Sequence, residues 1–175
     1  IEEYMGDNLT DDWRPTGASV GDIHTATHML DEYAEWIVSL WGEKNPFPFS
    51  GVVDCAHGAA VDAAGKVFRK LRKEWVFIGD LPDGLNINEG VGVMNMAHVA
   101  EAVTSRNLPV GIAYDGDADR ALLTDGKGRV LNGDIILWLL ARWLARRDLL
   151  GSGVVATVMS NMALEEHLGK ERIAV

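Results

Sequence analysis

Three short apolar runs, Val52 to Ala56, Trp75 to Ile78 and Val110 to Tyr114, are separated by stretches whose apolar residues recur at helical spacing. Ala60, Val61, Ala64, Val67, Phe68 and Leu71 mark a helix in the first gap, and Met96, Val99, Ala100 and Val103 mark one in the second. Strand, helix, strand, helix, strand predicts an α/β fold, a mostly parallel sheet with helices on both faces. In such sheets the loops that meet ligands lie beyond the carboxyl ends of the strands. Two segments stand at such ends, Asp54-Cys55-Ala56-His57-Gly58 and Asp115-Gly116-Asp117-Ala118-Asp119-Arg120.

The second segment carries the chemistry. Three carboxylates follow an apolar run at every second position, with a glycine and an alanine between them that let the backbone curl and turn the acids inward. Like charges at that spacing repel, and a hard divalent cation satisfies them. Oxygen ligands without a neighbouring His or Cys favour Mg²⁺, Mn²⁺ or Ca²⁺ over Zn²⁺. Magnesium commonly leaves positions for phosphate oxygens, and Arg120 adds a fork able to grip phosphate. A lone Asp-x-Asp is an ordinary solvated turn; three alternating acids after a strand point to metal. A calcium-binding EF-hand does not fit, because Arg120 and Gly126 stand where that loop needs glycine and glutamate.

Around this centre the pattern is coarser. Residues 1–21 show no clear period. From Asp22, a plausible N-cap, the apolar residues Ile23, Ala26, Leu30, Tyr33, Ala34, Ile37, Leu40 and Trp41 predict a helix, on which His24 and His28 face solvent. Gly42 to Ser50, with two prolines, reads as a linker. Lys66, Arg69, Lys70, Arg72 and Lys73 give the first inter-strand helix a basic, solvated face, and Leu81 to Met94 is an irregular loop. Ala121 to Thr124 and Arg129 to Leu131 flank a glycine-rich turn and predict a hairpin. Asn132-Gly133-Asp134 caps a helix running to about Arg147. Val154 to Met159 then reads as a strand, Ser160-Asn161 as a cap, and Met162 to Leu168 as a short helix. A βα unit without a partner strand predicts a piece of a larger protein. Cys55 is expected to be a buried strand cysteine, and Trp36, Trp41, Trp138 and Trp143 are expected to pack.

Composition removes several classes. A net charge of −10 argues against general nucleic-acid or anionic-membrane binding, while leaving room for a phosphorylated ligand held by one metal and a few basic groups. The strongest apolar run, Ile135 to Leu144, is broken by Arg142 and is too short to span a membrane. A single cysteine excludes an internal disulfide framework and suits a reducing compartment, and Glu2, Glu3 and Asp7 are the wrong charge for a secretory signal. A cytoplasmic location is therefore expected.

The segment Asp115 to Arg120 resembles the metal loop of the α-D-phosphohexomutases, and Val52 to Ala60 resembles the strand and turn that open their second domain. Pro82 to Asn88, Asn132 to Leu137 and Val155 to Glu165 are most similar to the bacterial branch acting on glucosamine phosphates. The resemblance covers nearly the whole chain. It implies residues 1–48 as the end of a first domain and its linking helix, 49–150 as a second α/β domain carrying the metal loop, and 151–175 as the start of a third. It also implies an isomerase interconverting glucosamine 6-phosphate and glucosamine 1-phosphate on the route to cell-wall precursors. The reaction would run through a phosphoserine and a bisphosphorylated sugar, with Mg²⁺ held by Asp115, Asp117 and Asp119 and with Arg120 near the phosphoserine.

Other parts of the family pattern are not found in these residues. The Ser-His-Asn-Pro phosphoserine loop, the Gly-Glu-x-Ser sugar loop and the arginine-rich phosphate site do not occur, and His57 stands where the family generally has Asn. No catalytic nucleophile is therefore expected in this chain, and the isolated chain is expected to be inactive without the flanking domains. Three alternatives remain open at this point: a sister mutase acting on mannose or glucose phosphates, a phosphatase of the haloacid dehalogenase type, and a non-catalytic metal-binding domain. The phosphatase chemistry usually wants Thr or Val where Asp119 stands.

Overall fold

The computed structural model describes residues 15–41, 49–71 and 73–175 (Trp41 by its backbone only), and in it each of the three apolar runs becomes a strand. These are β1 (Gly51–Asp54), β2 (Trp75–Ile78) and β3 (Val110–Tyr114). Each connection between them holds one α-helix among the described residues, α2 (Ala60–Lys70) and α3 (Met96–Ser105). β1 lies between β2 and β3 and is parallel to both, with Asp54 level with Ile78 on one side and Ala113 on the other. All four of its residues are buried, as a central strand covered on two faces requires.

The predicted hairpin forms and extends the same sheet. β4 (Ala121–Asp125) runs antiparallel to β3, and β5 (Val130–Leu131) runs antiparallel to β4. The order is β2-β1-β3-β4-β5, so the parallel half is as expected and the hairpin makes the sheet mixed. A turn this short can only return the chain antiparallel. Asp125 fixes it by accepting from the Lys127 and Arg129 N–H groups at 3.0 Å each.

Alternation along the strands divides the core into two layers. Val52 and Ala113 pack with Met96, Val99, Ala102 and Val103 of α3 on one face. On the other face Val53 and Cys55 pack with Ala60, Ala64 and Phe68 of α2. Thr124 is buried on β4, and its hydroxyl finds no partner among the described residues. Such a group costs more than the methyl that could replace it. Thr124→Val is expected to raise stability by about 1 kcal/mol, seen as a higher urea midpoint at unchanged slope.

Several readings are corrected. The first helix, α1 (His28–Trp41), starts five residues after Ile23, where the spacing suggested its start; among the described residues Asp22 caps nothing, and Ile23 is 99% exposed. With no surface there to cover an apolar face, periodicity alone does not hold a helical turn. His24 thus precedes the helix that His28 begins, and both are exposed. The basic face of α2 is not merely solvated. Lys66 pairs with Asp31 and Lys70 with Glu35 at 3.1 Å, seating α1 on α2. Trp36 and Trp143 remain about half exposed rather than packed. The linker reading of Gly42 to Ser50 falls almost wholly outside the described residues, as do Arg72 and residues 1–14.

Beyond the sheet, α4 (Gly133–Ala145) and α5 (Met162–Lys170) form a separate cluster through Ala141, Leu164, Leu168 and Ile173. Both predicted caps hold: Asn132 accepts from the Ile135 N–H at 3.1 Å, and Asn161 accepts from the Ala163 N–H at 2.9 Å. Val154 to Met159 is not a strand. It has no neighbouring ladder: the Val154 N–H donates to the Ala174 carbonyl at 2.9 Å, the Thr157 and Met159 N–H groups donate to nearby hydroxyls, and Val155, Val158 and Met159 are exposed. Apolar residues alone do not make a strand when nothing pairs with its backbone. Among the described residues no helix is long and apolar enough to cross a membrane.

Candidate metal centre

β3 ends at Tyr114, and the next residues curl back on themselves. The Ala118 N–H donates to the Asp115 carbonyl at 3.1 Å, and the Asp115 N–H donates to the Arg120 carbonyl at 3.2 Å. Ala118 takes a left-handed backbone (φ 61°), a conformation that a small side chain tolerates best among residues other than glycine, asparagine and aspartate. The curl brings all three predicted acids together: one carboxylate oxygen from each of Asp115, Asp117 and Asp119 lies within 4.8 Å of the others. Asp115 is buried at the strand end, while Asp117 and Asp119 open to solvent. Three converging oxygens with no nitrogen or sulfur donor among them suit a hard cation such as Mg²⁺.

Arg120 joins this cluster. Its Nε lies 2.6 Å from Asp115 Oδ2 and 3.4 Å from Asp119 Oδ1, and its backbone N–H donates to Asp115 Oδ1 at 3.0 Å. Burial pushes the Asp115 carboxyl up, but the Arg120 N–H, the Arg120 guanidinium and a bond shared with Asp119 together outweigh it and hold the group at about 2. Asp119 moves the other way: its bond to Asp115 and the nearby Asp117 charge raise it. The bond to Asp115 raises Arg120 as well. The cluster therefore carries concentrated negative charge, and among the described residues Arg120 is the only cation paired with it.

Two other loops close around this one at the same edge of the sheet. The Ala59 N–H donates to the Gly116 carbonyl at 2.9 Å, and the Asn88 N–H donates to the Ala56 carbonyl at 2.8 Å. The His57 N–H donates to the Gly79 carbonyl at 2.6 Å, and its ring Nδ1 accepts from the Leu81 N–H at 3.2 Å. Ala56, His57 and Asn88 all have positive φ (54°, 49° and 60°), so unfavourable backbone conformations gather at the strand ends. Strain of this kind persists only where surrounding contacts over-determine it. Asp54, wholly buried, accepts from the Ala56 N–H at 2.9 Å and from the Gly92 N–H at 2.7 Å.

The structure brings the three predicted aspartates and Arg120 together in one loop; sequence reasoning gave no role to Asp54, Asn88 or Gly92. The available signal was Asp54 itself, an acid inside an otherwise apolar run. The irregular loop before α3 supplies the Gly92 N–H to Asp54. Cys55 is buried as expected, and burial together with the Asp54 charge pushes its thiol up to about 12. It is expected to resist iodoacetamide in the native chain and to react once the chain is unfolded; labelling followed by mass spectrometry checks this.

The family model described as phosphoglucomutase/phosphomannomutase, alpha/beta/alpha domain II, matches residues 31–128, and the corresponding domain III model matches residues 132–175. A phosphoglucosamine mutase of Campylobacter lari is 41% identical over 181 aligned residues, covering 99% of this chain and 39% of that protein. A phosphoglucosamine mutase of Shewanella pealeana is 49% identical over 147 residues, 83% of this chain and 33% of the relative. The chain thus spans about two fifths or less of the length of these relatives. Among solved structures, a phosphoglucomutase/phosphomannomutase family protein of Burkholderia thailandensis matches with a TM-score of 0.54 at 28% identity, over 68% of this chain and 26% of that one. A Thermus thermophilus protein described as a phosphomannomutase matches in fold alone, with a TM-score of 0.54 at 20% identity over 71% of this chain and 29% of that one. An α/β sheet ending in a curled acidic loop, matched by these models over most of its length, belongs to the phosphoglucomutase/phosphomannomutase family.

Proposed function

We propose that this chain supplies the metal loop of a phosphosugar mutase that interconverts glucosamine 6-phosphate and glucosamine 1-phosphate. The observation that carries the reading is the convergence of Asp115, Asp117 and Asp119 at the carboxyl end of β3. Asp115, Asp117 and Asp119 would hold Mg²⁺, which when bound neutralises charge developing on a transferred phosphoryl group. Asp115 serves as the fixed wall of the site, because Arg120 and burial at the strand end leave it little freedom. Asp117 and Asp119, both exposed, can adjust to an incoming phosphate. Arg120 has a side chain 70% exposed, so its guanidinium can reach a phosphate oxygen while its backbone N–H keeps Asp115 oriented.

In this reading the phosphoserine that gives and takes the phosphoryl group comes from polypeptide outside these residues, as do the groups that recognise the sugar. The glucosamine branch is favoured by the phosphoglucosamine mutases at 41–49% identity. The family and structural descriptions name glucose and mannose phosphates, which keeps a sister mutase as the second reading. A cytoplasmic enzyme of amino-sugar metabolism is the corresponding cellular assignment.

Two measurements test the proposal. Titration of the chain with Mn²⁺, followed by calorimetry or electron paramagnetic resonance, is expected to show one site that Asp117→Asn removes. A protein of the relatives' length containing this chain is expected to turn over glucosamine 6-phosphate faster than mannose 6-phosphate or glucose 6-phosphate. Preference for either of the latter sugars would transfer the assignment to the sister branch.

A further inference from the structure

Among the described residues two carboxylates are buried, Asp115 and Asp54. Asp115 is paired with Arg120, whereas no cation pairs with Asp54. Burying an acid without a counter-ion is costly, and both of its oxygens must then find donors. Here both donors are backbone N–H groups from segments far apart in sequence, Ala56 at 2.9 Å on Oδ1 and Gly92 at 2.7 Å on Oδ2.

We propose that Asp54 is a positioning residue for the acidic loop, a clamp whose two arms end on either side of Asp115. On one arm, Ala56 leads through the tight turn to Ala59, whose N–H holds the Gly116 carbonyl at 2.9 Å. On the other arm, Gly92 lies so close that an added Cβ would come within 2.9 Å of the Tyr114 carbonyl and 2.8 Å of the Ala56 Cβ. Tyr114 and Gly116 flank Asp115 in the chain, so one carboxylate fixes both neighbours of the buried ligand residue. Gly79 leaves the room this requires: a Cβ there would meet Asp54 Oδ1 at 2.6 Å. An aspartate suits the place and an asparagine does not, because an amide would aim its own N–H at one of the two donors. The left-handed Ala56 and His57 are the conformations this clamp over-determines.

The functional meaning of the clamp rests on the metal reading above, and its test separates the two. Hydrogen exchange is measured in the full chain at the amides of Ala118 and Arg120, which donate to Asp115, and Mn²⁺ affinity is measured alongside. Asp54→Asn is expected to speed exchange at both amides by about tenfold or more and to weaken Mn²⁺ about tenfold or more, as loss of an orienting partner does. Val103→Ala is the control. It thins the other core layer, beside Gly111 near the amino end of β3, and should leave both readouts within about twofold of the parent while lowering stability. Unchanged exchange at Ala118 and Arg120 in Asp54→Asn overturns the clamp whatever the metal does. Failure of the unsubstituted chain to bind Mn²⁺ sinks the metal reading and leaves the exchange result to decide the clamp. Should Asp54→Asn not fold, Gly92→Ala, which wedges the same seam, is expected to give the same acceleration, and its absence would refute the clamp.

Discussion

Asp117→Asn, in an enzyme of the relatives' length built around this chain, is expected to lose turnover by about a thousandfold or more while its melting temperature moves by no more than about 1 °C. The two halves of that result have different causes. Asp117 is exposed and makes no hydrogen bond or ion pair with another described residue, so the folded chain loses nothing by its neutralisation. Removing one of three like charges from so tight a cluster relieves repulsion if anything. What is lost is one anionic oxygen of the three, and with it the charge that would balance a divalent cation beside a phosphoryl group. Asp115→Asn would be a poorer experiment, because the Arg120 N–H and guanidinium both depend on that carboxylate. Near-normal turnover in Asp117→Asn, measured in the same Mg²⁺ buffer as the parent, would end the metal assignment.

Gly58→Ala is expected to cost about 3 kcal/mol and to lower the melting temperature of the sheet domain by about 10 °C or more. An added Cβ would fall 2.1 Å from the Gly116 carbonyl oxygen and 2.8 Å from Gly116 Cα. Both are backbone atoms, so no flexible side chain can move aside. Relief requires separating the turn after β1 from the acidic loop, which breaks the Ala59-to-Gly116 bond and carries Asp115 out of place. The same substitution therefore weakens Mn²⁺ binding along with stability. Gly133→Ala provides the contrast, since a Cβ in the first turn of α4 meets nothing within 4 Å. It should stabilise that helix by about 0.5 kcal/mol. Thermal unfolding of the two variants side by side checks the pair, and equal behaviour would mean that the loops are not in contact as described.

Legibility in the sequence followed the range of the interaction. Strands β1, β2 and β3, helices α2 and α3, the β4–β5 hairpin and the Asn132 and Asn161 caps could all be read, because each depends on periodicity or on a bond within a few residues. The acidic trio was readable for the same reason, since its members are two apart. Where an element depended on something distant, local reading failed. Ile23 to Ala26 has helical spacing but nothing to pack against, and Val154 to Met159 has strand composition but no ladder.

Residue order alone thus determined the alternation of elements, the parallel half of the sheet and the loop in which Asp115, Asp117, Asp119 and Arg120 meet. Only tertiary structure decided that Lys66 and Lys70 seat α1, that Gly58 and Gly116 touch, and that Asp54 reaches Gly92, 38 residues further along the chain. The physical reason is that the pleat and the helical turn set a side chain's neighbours over a few residues, whereas contacts between loops from different strands exist only once the sheet has brought β1, β2 and β3 side by side.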